Sequence, residues 1–186
     1  MEADWEIEVG GDAPVIEARW AGFVDLRRTP DQAWQLAEVG ELPALAEALA
    51  RLNAPASAVW TSKCDFWPVI EPNEFDPDEL DAQPGDGVHA MGCYIDVLPR
   101  GEGQWVRPEM AVAACKRLCS LLRAAPLRCC RADLVVRRAL IAPERMDLGV
   151  TAYLTSCGPS SLEAAQTLQA ALREFADAFC PHSTLQ

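Results

Sequence analysis

The stretch that most constrains the fold lies near the C-terminus, where Ala165, Leu168, Leu172, Phe175 and Phe179 recur at spacings of three and four. A helix there gathers them into one apolar stripe and leaves Glu163, Gln166, Arg173 and Asp177 on its polar face. Ser160 and Glu163 stand in capping-box positions ahead of it, and Pro181 stands where the pattern stops. Such a helix must bury its stripe against another layer, and the preceding residues supply one. Residues 132–141 and 148–156 read as strands joined by a hairpin loop over 142–147.

Further upstream the same two patterns alternate. Residues 57–67 and 88–98 are rich in β-branched and aromatic residues and read as strands. Pro108 opens a helix with Met110, Ala114, Leu118, Leu121 and Leu122 along one face, ending before Pro126. Thr29, Pro30 and Gln32 predict a helix start with a capping box. Gly40 and Pro43 interrupt it, and Leu42, Leu45, Leu49 and Leu52 carry a second segment up to residues 53–55. Residues 5–9 alternate apolar and acidic side chains, 10–12 supply turn chemistry, and 15–26 read as a further extended run.

The order is thus arm, β, α, β, long loop, β, α, β, β, α. Its core is the βαββαβ pattern of a ferredoxin-like fold, with an added C-terminal strand and helix. The expectation is one α+β domain over residues 1–186, with a mostly antiparallel sheet and helices on one face. One conflict is built in. The strand over 15–26 lies inside such a sheet, leaving no free edge for a hairpin partner made from residues 5–9.

Half the residues are apolar and 24% are charged, the mixture of a globular chain and not of a disordered one. The first six residues carry acids where a secretory leader carries bases, and no long apolar run follows, so a cytoplasmic protein without a membrane span is expected. In that compartment the eight cysteines read as thiols. The net charge of −12 disfavours nucleic acid and anionic lipid as partners. The charge is unevenly spread, because residues 116–145 hold eight bases against two acids.

Motifs for common chemistries are sparse: there is no dinucleotide-binding glycine fingerprint, phosphate-binding lysine loop, zinc-protease helix or serine-hydrolase elbow. Cys115 and Cys119 share a helix face, with Cys129 and Cys130 just beyond its end, but the spacing lacks paired C-x-x-C knuckles and buried cysteine commonly acts as a small apolar residue. His89 and His182 are the only imidazoles. His89 shares a strand face with Cys93, and Cys64 falls on a neighbouring strand, which allows a cysteine–histidine pair on paper. The acids over 76–81 depart from the calcium-loop spacing. No metal or cofactor is expected.

The most unusual segment is the acidic loop over 68–87. Between Lys63 and Arg100 there is no lysine or arginine, while carboxylates accumulate beside Phe66, Trp67 and Phe75. Aromatic anchors ringed by acids suit recognition of a basic macromolecule, the acids steering and the rings supplying buried contact. The candidate partner-binding residues are Trp67, Glu74, Phe75, Asp76, Asp78, Glu79 and Asp81. The expected function is a non-enzymatic binding or regulatory protein with a protein partner. The alternative is an enzyme with a sheet-floored cleft using Cys64, Cys93 or His89.

Overall fold

The computed structural model describes residues 1–20, 22–40, 42–70, 75–83, 86, 88–143 and 145–180. Its strands are β1 (Glu2–Glu8), β2 (Val15–Glu17), β3 (Val59–Val69), β4 (His89–Pro99), β5 (Cys130–Ala142) and β6 (Arg145–Gly158). Its helices are α1 (Pro43–Asn53), α2 (Pro108–Ala124) and α3 (Ser161–Phe179). The strands form one sheet in the order β1, β5, β6, β4, β3, with β2 also pairing β5. The pairs β5–β6, β6–β4 and β4–β3 are antiparallel, while β1 and β2 run parallel to β5. The protein is therefore α+β with a mostly antiparallel, open sheet.

This order departs from the ferredoxin-like expectation at the centre of the sheet. The stretch 15–26 yields only the three-residue β2 at one side, and β6 takes the place between β5 and β4. The β5–β6 hairpin pairs residues that are close in sequence, and loop closure there costs little. Ala18 N–H makes a last bond to Leu140 O at 3.1 Å, after which the chain leaves the ladder, with a turn bond from Phe23 N–H to Trp20 O and Gly22 at φ +92°. The conflict over the N-terminal arm disappears with it. β1 and β2 occupy successive stretches of β5, residues 131–137 and 138–140. Arg138 donates to the carbonyls of Gly10 and Gly11 at 2.9 and 3.1 Å, holding the connection between them.

The predicted helix after Thr29 is likewise corrected. Two 3-10 turns, Pro30–Gln35 and Ala37–Val39, occupy it, and the Thr29 side chain makes no cap bond. Pro43 initiates α1 because its missing N–H falls where a helix has no acceptor for it. The cap of α3 forms as expected, with Ser160 Oγ accepting from Glu163 N–H at 3.3 Å and donating to the Glu163 carboxylate at 2.7 Å.

All three helices bury an apolar stripe against the same face of the sheet, but on α2 it runs through Ala111, Cys115, Leu118, Cys119 and Leu122, while Met110 and Leu121 of the expected stripe are exposed. Leu45, Leu49 and Leu52 of α1, Leu118 and Leu122 of α2, and Leu168, Leu172 and Phe175 of α3 share a buried cluster with the strands. The strands contribute Cys93, Ile95 and Val97, Ala132, Leu134 and Val136, and Val150, Ala152 and Leu154. Strand side chains alternate, so the residues between these point to the opposite face, which no described helix covers. No described helix is long and apolar enough to cross a membrane.

Candidate functional site

The helix-free face is covered at its two ends and open between them. At one end Ile16, Ala18 and Phe23 belong to a strap, with Ile16 and Ala18 packed on Trp60, Leu98 and Ala139. Phe23 meets Trp60 edge-on, their ring centroids 6.2 Å apart. Gly149 lies beneath, where a Cβ would come within 2.7 Å of Leu98 and 2.8 Å of Ile16. At the other end lies the acidic loop. Leu80, 2% exposed, packs with Ala90 and Cys157, and Phe75 and Ala82 close around it. Two arginines of β5 and the segment before it clasp the loop: Arg128 is 3.0 Å from Asp81 and Arg131 is 3.6 Å from Glu79.

Between these covers a row of aromatic rings crosses the sheet. Trp67, Tyr94 and Tyr153 follow one another with centroids 6.3 Å apart at each step. The Trp67 indole lies on Gly92, where a Cβ would stand only 2.7 Å from the ring, so glycine is what allows this close approach. Arg137 continues the row, 2.9 Å from the Glu8 carboxylate and 3.1 Å from the Tyr153 hydroxyl. Its guanidinium carbon is 5.6 Å from the Tyr153 ring centroid, within cation–π range. Glu2, Asp4, Glu6 and Glu8 alternate along β1 and so share this face as a rim of carboxylates.

Asp96 lies in the floor of this face and is only 6% exposed. Its Oδ1 accepts from Thr151 Oγ1 at 2.6 Å. Burial raises its proton affinity above that of an ordinary aspartate, against the opposing pull of the Thr151 hydrogen bond and the Arg137 charge. The neighbouring Tyr94 phenol is pushed up to about 12, by burial first and then by Asp96 and Asp65. At the outer edge of β3, between the strap and the 3-10 turns, a cavity of about 430 Å³ opens beside Tyr94, a volume usual for small-ligand pockets. Trp20, Glu38, Lys63, Cys64 and Asp65 line it.

The structure spreads the sequence-predicted residues over two environments. Trp67 is 37% exposed on the open part of the face, whereas Phe75 is half-buried beneath the loop. Asp76 and Asp78 are exposed and share a local bond, Asp78 N–H to Asp76 Oδ1 at 2.9 Å. Glu79 and Asp81 are in the ion pairs with Arg131 and Arg128, so they serve the docking of the loop. Glu74 and His182 lie outside the described residues.

Apart from Cys64, which lines the cavity, the thiols named in the sequence lie away from it. Cys115 and Cys119 face the helix-side core, as do Cys93 and Cys130, while Cys129 and Cys157 meet under the acidic loop. Among the described residues no three metal-ligating side chains cluster. Burial, followed by Glu38 and Asp65, pushes the Cys64 thiol up to about 12, and burial raises Cys93 as well, the reverse of what activates a nucleophile. His89 is exposed at the start of β4, its Nδ1 3.2 Å from Ser161 Oγ.

Sequence reasoning did not single out Tyr94, Asp96, Arg137, Thr151 or Tyr153 as a group. The available signal was the polar residue inside an apolar strand, Asp96 between Ile95 and Val97. Pairing it with Thr151 and Arg137 needed the strand order, since these residues belong to three different strands. Compared with known protein families, curated proteins and solved structures, the chain has no significant match.

Proposed function

We propose that the chain is a non-enzymatic, cytosolic binding or regulatory protein whose helix-free sheet face receives a basic macromolecular partner, with the acidic loop as one wall. The observation that carries this reading is the aromatic row of Trp67, Tyr94 and Tyr153, open to solvent at Trp67 and rimmed by carboxylates on β1. Rings on a rigid sheet present contact area at little entropic cost, and surrounding acids raise the rate of encounter with a basic surface. The arginines of residues 116–145 support the same polarity. Arg128, Arg131, Arg137 and Arg145 are each paired with a carboxylate of the chain, so they do not form an outward clamp for phosphates.

The enzyme reading has one observation in its favour, the buried Asp96 in the sheet floor, whose proton affinity burial raises. Against it, burial raises the proton affinity of both candidate thiols, the half-buried Cys64 and the buried Cys93, which disfavours the thiolate that a nucleophile needs. Capture from source lysate on immobilised protein separates the two. The parent protein should retain a basic partner in stoichiometric amount, and Trp67→Ala combined with Asp65→Asn should lower capture by about tenfold or more. Undiminished capture by that variant sinks the proposal, and a co-purified small metabolite in place of a protein favours the enzyme.

A further inference from the structure

We propose that the cavity at the outer edge of β3 is a pocket for an organic cation, a guanidinium or primary ammonium group. The inference does not rest on the macromolecular partner proposed above, because its evidence lies in the chemistry of the walls. Rings and carboxylates converge there. Trp20 and Tyr94 supply aromatic surface, and Glu38 and Asp65 supply negative charge. Neither carboxylate has an ion-pair partner among the described residues, and Asp65 accepts only the neighbouring Phe66 N–H, at 2.8 Å. Aromatic faces combined with carboxylates are the wall chemistry that selects organic cations over neutral or anionic ligands.

The chain's own cation shows what this environment accepts. Lys63 Nζ lies 5.4 Å from the Trp20 ring centroid and is paired with Glu17 at 3.3 Å. Lys63 is therefore paired with a residue that does not line the cavity, which leaves Glu38 and Asp65 without an ion-pair partner among the described residues and the walls with two carboxylates to one ammonium. Two titratable groups in the walls register the resulting field. After burial, the causes that raise Cys64 are Glu38, Asp65 and Asp96, and those that raise Tyr94 include Asp96 and Asp65. A phosphate or carboxylate ligand would meet repulsion from the same groups. At about 430 Å³ the space exceeds what a single methylammonium needs and admits a guanidinium with its aliphatic stem.

The test is a titration followed by calorimetry and by amide chemical shifts, with N-acetylarginine amide, N-acetyllysine amide and the free diamine putrescine as probes and N-acetylglutamate amide as the anionic control. One arginine or lysine amide should bind and shift the amides of Cys64, Asp65 and Tyr94, with no response to the glutamate amide. Binding of the blocked amino acids points to a side chain of a protein as the source, and binding of putrescine alone points to a free amine. Glu38→Gln with Asp65→Asn should weaken binding by roughly tenfold or more, the combined effect of two lost charges at a partly enclosed site. Glu2→Gln with Glu6→Gln removes the same charge from β1 and should change affinity less than about twofold, since separated exposed charges are screened by salt. Absence of cation binding, shifts confined to other residues, or equal weakening in both double variants overturns the proposal. Because Glu38 and Asp65 are exposed, the fold should survive their replacement, and the shifts in the parent protein test the site without any variant.

Discussion

Alternate residues of the same strands build two unlike surfaces. On β4, Cys93, Ile95 and Val97 join the helix-side core, while Gly92, Tyr94 and Asp96 between them face away from the helices. On β5 the division is the same, with Leu134 and Val136 on one side and Asp133 and Arg137 on the other. The helix side is dry, continuous and apolar. The other side has two small apolar patches, one beneath the strap and one beneath the loop, separated by rings, a buried carboxylate and an ion pair. Stability is concentrated on the first surface, and polar groups that cost free energy to hold in place are concentrated on the second.

The strongest way to break this comparison is to empty one side of a large ring. Phe175 is fully buried in the helix-side core, and Phe175→Ala should lower stability by about 3–5 kcal/mol in urea unfolding. Tyr153→Ala on the open face should cost clearly less, and equal losses would abolish the distinction. The next effect concerns the docked loop. Leu80→Ala should cost about 2–3 kcal/mol, because Leu80 closes the patch over Ala90 and Cys157. A loss below about 1 kcal/mol would mean that the loop contributes no packing. For the same reason a short Gly/Ser replacement of residues 68–87 should destabilise the protein more than loop closure alone requires.

Asp96 sharpens the comparison through pH. Its folded pKa is raised, chiefly by burial, so the folded state holds a proton that the unfolded chain has released just above pH ~4. Stability from this group is therefore highest below that point and declines as pH rises through the raised value. Asp96→Asn keeps an acceptor for Thr151 and removes the charge. It should stabilise the protein at pH 7 by on the order of 1 kcal/mol, with the gain fading on acidification. Thermal unfolding of parent and variant between pH 4 and 8 measures it, and a gain independent of pH would show that Asp96 is not the titrating group. The smallest effect belongs to the loop's exposed acids. Asp76→Asn and Asp78→Asn should each change stability by less than about 0.5 kcal/mol, while lowering capture of a basic partner measurably at low salt and less at high salt.

Several elements were legible in the sequence because their causes are local. The capped α3, the proline-initiated α2 and the four long strands follow from spacing, caps and β-branched runs within each segment. The acidic loop was plain in composition, although β3 runs on through Pro68 and Val69, which the sequence reading places in it. Its role was not, since the docking of Leu80 and the pairing of Asp81 with Arg128, 47 positions away, are long-range contacts. Residues 15–26 misled for a related reason. Their apolar side chains suit a strand throughout, but among the described residues Val15–Glu17 alone join the ladder, as β2, while Ala18 and Phe23 pack as a cover with Trp60, Leu98 and Ala139, which composition alone does not separate from a strand.

Sequence by itself determined the three α-helical segments and the four long strands, the apolar faces of α1 and α3, and that the chain carries an excess of carboxylates. Tertiary structure decided the strand order, the union of Glu8, Arg137, Tyr153, Thr151 and Asp96 on one face, and the cavity beside Lys63 and Trp20. Local elements follow from torsional preference and periodicity over a few residues. The face and the cavity depend on which distant strands become neighbours, a choice made by the summed burial of the whole core and therefore not encoded in any one segment.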